Sequence, residues 1–466
     1  MHVLHAIHDF LPRHQAGSEL YALRLAQAQL AANHVTVLCA EYDPARDHGH
    51  VTWRLFEGLP VVEIVNNWRC ASFEETYRPP LIGDRIRQLL QVLGPDVVHV
   101  HNLLNLSFDL PAIAAGLGIP VVATLHDYTM LCASGGQRVH KRDEHVCVEI
   151  DTARCARCFM ESPFHSQMGF ARFASNGHAM SALARGYSVV RRHMPALGAR
   201  AARSLTAAAG LPVTPQDLDR RLAAARAVFP QVDLFVAPSA ALAREYQRFG
   251  MDPGRIEVSD YGCVTRRPAP ARAPRTPIRI GLVGTLVWHK GVHVLVDALK
   301  TLPAESYRAT IFGSLDTFPD YVATLRASAA GLPIEFAGGF EAGRASDIYD
   351  AIDVLVVPSL WPENSPLVIH EAFQAGVPVV GSNIGGIPDL VEDGVSGLVF
   401  ETGSAADLAR ALRALVTDPP RVGRMSAATP RVKAIAEDAK EWAARYARVT
   451  RTRVKEAGAS DPAGAT

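Results

Sequence analysis

The chain has 466 residues, 48% hydrophobic and 20% charged, with 47 basic side chains balancing 47 acidic ones. That length suits two or three packed domains, and the composition is ordinary for a large α/β protein. Zero formal net charge removes any general attraction to nucleic acid, and no run approaches the roughly 18 apolar residues of a membrane span. Met1 enters a strand pattern at once with no leader ahead of it, so a cytoplasmic protein is expected.

His2 to His8 reads as a first buried strand. The loop from Asp9 through Arg13, His14 and Gly17 to Glu19 follows, and then a helix from about Glu19 to Ala32 with Leu20, Leu23, Ala26 and Leu30 on one face. No Gly-x-Gly-x-x-Gly follows the strand, which argues against a nicotinamide enzyme. Val121 to Leu125 is a further buried strand, and it ends in the polar cluster His126-Asp127-Tyr128. Strands alternate with helices throughout, which predicts parallel sheets covered on both faces.

Four of the seven cysteines then cluster: Cys132, Cys147, Cys155 and Cys158, the last two as Cys-Ala-Arg-Cys. Two readings stand side by side. The four thiolates could surround a structural zinc, or they could be free thiols in a polar loop. A reducing cytoplasm disfavours disulfides. Cys39, Cys70 and Cys263 read as scattered small apolar residues. Residues 163 to 230 form a mostly helical insertion whose arginines, among them Arg172, Arg191, Arg192, Arg221 and Arg226, outnumber its acids. Peripheral contact with an anionic membrane is one reading, and a helical cap with a solvated arginine face is the other.

Pro268 to Pro277 is the clearest linker, and strand signals restart at Ile278-Arg279-Ile280-Gly281-Leu282-Val283-Gly284. Thr285 to Gly291, with His289-Lys290-Gly291 at its end, leads into a helix. Val354 to Val357 is a buried strand, followed by Pro358-Ser359-Leu360-Trp361-Pro362-Glu363-Asn364-Ser365-Pro366-Leu367. Ser365 suits an N-cap and Pro366 a first helical residue, with Gly376 as the stop. Glu363 thus lies on the loop before a helix and Glu371 on the helix itself. First-turn amides favour an anion such as a diphosphate, and carboxylates accept from sugar hydroxyls. Solvated helix-entry acids are the bland alternative. Val377 to Gly381 is another strand, followed by Gly385-Gly386. Val432 to Val454 reads as a last helix, and 455–466 as a disordered tail.

From about residue 278 to 400 these motifs, in this order, strongly resemble the retaining glycosyltransferases of family four, also called group 1, with weaker echoes over nearly the whole chain. The resemblance implies the GT-B fold: two Rossmann-like, doubly wound parallel-sheet domains facing a cleft. The expected division is an acceptor-side domain at 1–268, a linker at 269–277, a nucleotide-sugar-binding domain at 278–431 and a helix at 432–454 crossing back to the first domain. The implied activity is transfer of a hexose from a nucleoside-diphosphate sugar to a glycan or lipid-linked acceptor, with retention and without a catalytic metal. By the same resemblance Glu363 and the segment Asn364, Ser365, Pro366 and Leu367 contact sugar and phosphate, Glu371 holds the ribose, and Lys290 clamps the diphosphate. His126 lies by the donor sugar, and the Gly17 loop approaches the diphosphate and acceptor. Thr285 departs from the family, which usually has an arginine there; Arg13, His14 or His289 could replace the lost charge. A disaccharide phosphorylase on the same fold, or a non-catalytic GT-B protein with a weakened clamp, are the alternatives.

Overall fold

A computed structural model describes residues 1–175, 211–265, 272–339 and 345–459. The chain divides into two compact units. The first takes Met1–Ala237, Glu245–Glu257 and the chain from Ala439; the second takes Pro238–Arg244 and Val258–Asp438.

The first unit is built on β1 (His2–Ile7), β2 (His34–Glu41), β3 (Val51–Phe56), β4 (Leu59–Val65), β5 (Val97–Val100), β6 (Val121–Thr124), β9 (Leu234–Ala237) and β10 (Ile256–Val258). Their order is β3-β4-β2-β1-β5-β6-β9-β10. The pairs from β4 to β9 are parallel, and β3 turns back antiparallel on β4. Strands covered on both faces need continuous apolar runs rather than alternation, and Val97–Val100 and Val121–Thr124 are buried at every position. The helix Gly17–Gln29 packs Leu23 and Ala26 against Ile7, Val35 and Val37. Two two-residue strands, β7 (Val139–His140) and β8 (His145–Val146), form a separate hairpin. The last helix, Ile435–Ala459, extends past the expected 454, and its buried Trp442 donates to Tyr21 Oη at 3.1 Å within this unit.

The second unit carries β11 (Ile278–Val283), β12 (Tyr307–Phe312), β13 (Ile334–Gly338), β14 (Val354–Val357), β15 (Val379–Ser382) and β16 (Gly397–Phe400). Their order, β13-β12-β11-β14-β15-β16, is a doubly wound pattern that reverses between β11 and β14. All five neighbouring pairs in this sheet are parallel. In each unit the strand order reverses about its first strand, so loops at the carboxyl ends of β1 and β5 border a crevice in the first unit, and those of β11 and β14 border one in the second.

The described part of the proline-rich stretch, from Arg272 onward, is anchored in the second unit. Arg272 donates from its backbone to Ser426 Oγ at 2.8 Å and from its guanidinium to the carbonyls of Tyr349 and Ala375 at 2.5 and 3.2 Å. Of the insertion's arginines, Arg221 is turned into the protein while Arg226 stays exposed. Arg221 is buried and donates to the carbonyls of Met130 and Thr129 at 3.1 and 2.6 Å, and Arg226 donates to Phe249 O at 3.0 Å. Burying an arginine requires such carbonyl partners, and the sequence did not reveal them. Arg191 and Arg192 lie outside the described residues, as does the Arg172 side chain. Among the described residues no helix is long and apolar enough to cross a membrane.

Candidate active site

In the second unit, two glycines bring separate loops onto the end of β14. Gly291 has φ +70°, and a Cβ there would lie 1.8 Å from Pro358 O. The Lys290-Gly291 turn can therefore press against the strand end only without a side chain. Gly385 has φ +59°, and its Cβ would lie 2.2 Å from Glu363 O; the next residue, Gly386, donates its N–H to that carbonyl at 2.7 Å.

These approaches hold Glu363 in a fixed setting. Its carboxylate is buried, and one oxygen, Oε1, accepts from Lys290 Nζ at 2.5 Å, Ser359 Oγ at 2.7 Å and Trp361 Nε1 at 3.0 Å. The Lys290 ammonium also sits over the Trp361 ring, 5.2 Å from its centroid. All three donors converge on Oε1, and Oε2 has no protein donor among the described residues. The sequence placed the cation and the carboxylate in one site but did not foresee that they pair with each other. Ser359 and Trp361 were missed too, although both lie in the same short segment.

Ser365 does not cap the helix. The helix begins at Leu367 with Pro366 as its N-cap, because the Ser365 hydroxyl is engaged elsewhere, donating to Asp260 Oδ1 at 2.6 Å and meeting His370 Nε2 at 2.8 Å. Asp260 Oδ2 lies 3.4 Å from the same His370 nitrogen. Burial pushes the Asp260 carboxyl up, but hydrogen bonds from His370 and Ser365 outweigh it and hold the group below its usual range. Serine, histidine and aspartate meet here, yet serine and aspartate face one imidazole nitrogen. A hydrolytic triad needs them on opposite nitrogens, so this cluster braces the loop instead. Asn364 is buried beside it. One helical turn on, Glu371 accepts from Tyr349 Oη through Oε2 at 2.7 Å, which orients the carboxylate. Thr285 is exposed at the end of β11.

In the first unit, His126 follows β6 and ends a chain of buried imidazoles. Parallel register sets His5 beside His99. His126 Nε2 meets His101 Nδ1 at 2.9 Å, His101 Nε2 meets His5 Nδ1 at 2.9 Å, and His5 Nε2 meets Gln29 Oε1 at 2.9 Å. Gln29 Nε2 donates to Tyr446 Oη at 3.1 Å, so Oε1 is the acceptor and His5 donates from Nε2. Carried along the chain, this puts the His126 proton on Nε2 and makes Nδ1 an acceptor. Burial lowers the His126 pKa to about 3, helped by the charge of His8, and burial lowers that of His5 to about 4 against the Gln29 hydrogen bond. A neutral His126 can orient a hydroxyl but cannot act as a general acid near neutrality. Its neighbour Asp127 accepts from Asn102 Nδ2 at 2.8 Å and Thr129 N at 2.7 Å, and so shapes the loop. Gly17 opens the exposed start of the helix Gly17–Gln29, where Glu19 reaches back to Ala16 N at 3.2 Å. Arg13 is claimed by Glu41 and Glu63 of this unit, His14 lies 3.8 Å from Asp9, and His289 is buried in the second unit.

The four clustered cysteines are free and half-buried. Burial, then the neighbouring thiols, push Cys155 up to about 12; burial pushes Cys158 up to about 11.

Residues 265–432 match the family described as "Glycosyl transferases group 1", and residues 16–164 match "Glycosyltransferase Family 4". The chain belongs to the family 4, group 1 glycosyltransferases. Relatives of this glycosyltransferase include the D-inositol 3-phosphate glycosyltransferase of Rhodococcus opacus, 30% identical over 47% of this chain and 53% of the relative. The putative colanic acid biosynthesis glycosyltransferase WcaL of Escherichia coli is 30% identical over 40% of this chain and 48% of the relative. The chain thus spans about half the length of the curated relatives it matches. Among solved structures, HepE of Anabaena in complex with UDP and glucose aligns with a TM-score of 0.56 at 16% identity, over 98% of this chain and 100% of that one. The fold is GT-B.

Proposed function

We propose that this glycosyltransferase moves a hexose from a nucleoside-diphosphate sugar to a glycan or glycolipid acceptor with retention of anomeric configuration, in cell-surface polysaccharide assembly. The observation that carries the reading is the cluster at the end of β14. A buried glutamate there has one oxygen filled by Lys290, Ser359 and Trp361, while the other has no donor among the described residues and is left to accept. Glu363 Oε2 accepts from a hexose hydroxyl and Glu371 from the ribose. Lys290 and the amides leading into the helix at Leu367 draw the charge that develops on the departing diphosphate. These groups supply the positive charge the leaving group needs, so the reaction is read as independent of a divalent cation. Neutral His126 accepts from a donor-sugar hydroxyl at Nδ1. Glu363 is not assigned as a nucleophile: its Oε1 is already committed to three donors. The departing phosphate instead takes the acceptor's proton as the new bond forms on the same face.

A thermal-shift screen against UDP, GDP, ADP, TDP and inorganic phosphate tests this, with UDP first because a neighbour of the same fold was solved with it. A ligand at ~100 times its dissociation constant stabilises by about 2.7 kcal/mol. One nucleotide should stabilise, and Glu371→Ala and Lys290→Ala should each cut the shift at the same nucleotide concentration to about half or less. Phosphate alone stabilising would favour the phosphorylase. The anomer of the product, read by NMR, tests retention, and activity in excess EDTA tests metal independence.

A further inference from the structure

One further set of chemistry-bearing side chains lines a common cavity away from these groups, with its sulfurs not yet all within 4.8 Å of one another, so a metal would have to draw them in. Cys132, Cys147, Cys155 and Cys158 all line one small cavity of about 20 Å³. Three backbone segments deliver them, each tied by its own hydrogen bonds. Cys132 N–H donates to Tyr128 O at 2.7 Å in the turn after β6, and Cys147 N–H, just past β8, donates to Arg138 O at 2.7 Å. Cys155 and Cys158 lie one turn apart on the helix Thr152–Met160, whose N-cap Asp151 accepts from Arg154 N at 3.0 Å.

We propose that this cavity is a structural zinc site with the four cysteine thiolates as ligands. Four sulfur donors select zinc or an iron–sulfur cluster over harder ions, and four thiolates close a tetrahedral zinc shell. Such a centre carries a net charge of two minus. Arg138 and Arg154 line the same cavity and can offset it in part, against Glu149 in the same lining and Glu245 paired with Arg138. The metal also has something to order: β7 and β8 are two residues each, too short to hold a hairpin by themselves. Zinc would tie the end of that hairpin to the helix Thr152–Met160 and to the loop that follows His126. A second histidine set is set aside. His5, His99 and His101 have ring nitrogens within 4.8 Å of one another. Their rings stack, however, with His99 and His101 centroids 4.3 Å apart at 24°, and His5 and His101 spend their facing nitrogens on each other. Stacked rings do not aim lone pairs at a shared centre.

The full chain, purified without a metal-affinity step and passed through zinc-containing and then zinc-free buffer, should keep one zinc per chain by plasma mass spectrometry. Titrating the native protein with an organomercurial should release that zinc in step with four thiols, a readout that needs no variant to fold. Cobalt exchanged into the site should give the intense absorption of a tetrahedral thiolate complex. Cys155→Ser with Cys158→Ser should lose the metal, while Cys263→Ser keeps it. The proposal is overturned if the exchanged protein holds no zinc and all four thiols react at once. Zinc that survives the double substitution, or the visible absorption of an iron–sulfur cluster, overturns it equally.

Discussion

Replacing Lys290 by methionine tests the ion pair at the centre of the site. Glu363 is 7% exposed and Lys290's side chain 29%, so the carboxylate is the member that cannot turn to water. Removing the ammonium leaves a buried carboxylate with two neutral donors, Ser359 and Trp361. Breaking a fully buried pair costs about 3–5 kcal/mol. Solvent reaches the lysine and two donors remain, which brings the expected loss to about 2–3 kcal/mol. For a unit of this size that is a fall of roughly 4–12 °C in the transition reporting the second unit. Calorimetry on Lys290→Met, Glu363→Gln and the double variant reads the coupling directly. The neutral amide introduced by Glu363→Gln should rescue most of the Lys290→Met loss, because no uncompensated charge is left behind. If Lys290→Met melts with the wild type, or the double variant loses the sum of the singles, Lys290 does not hold Glu363 and the reasoning fails.

The buried imidazoles predict acid lability. His5 and His126 have folded pKa values of about 4 and about 3, against an unfolded value of about 6.5. Above that value both states are neutral and the shift contributes nothing. Below it the unfolded chain takes protons that the folded chain refuses. Stability should then fall by roughly 1 kcal/mol per pH unit for each group until its folded pKa is reached. Melting of the first unit at pH 7 and pH 5 checks this, and a flat profile would contradict it. Gly386→Ala would put a Cβ 1.7 Å from Asn364 O, so the loop must move, at a cost above about 2 kcal/mol. Gly394→Ala, at φ +79° with nothing within 4 Å, should cost only about 1–2 kcal/mol by urea unfolding. Glu371→Ala should weaken nucleotide binding by roughly 10–100-fold in calorimetric titration, whereas Tyr349→Phe, which loosens the carboxylate but keeps it, should weaken it less.

What the sequence made legible depended on how many segments share a feature. The doubly wound sheets were readable because each strand announces itself locally, as a run such as Val354–Val357 buried at every position. The stretch from Pro358 to Gly376 was readable for the same reason: one segment supplies a strand end, a loop carboxylate and a helix. The Ser365 cap was misread because its hydroxyl answers to Asp260, 105 residues away, and no local rule reaches that far. The Lys290–Glu363 pair spans 73 residues, so each residue had its motif while their mutual contact stayed hidden. His126 is the extreme case. Its proton position is set through His101 and His5 by Gln29 on the helix Gly17–Gln29 and by Tyr446 on the last helix. In sequence these are ordinary strand and helix residues, and only the parallel register of β1 and β5 makes them neighbours. Chemistry confined to one segment can be read from spacing. Chemistry assembled by register, such as the tautomer of His126, becomes visible only when the sheet is in hand, and that tautomer decides whether the ring offers a hydroxyl a lone pair or a proton.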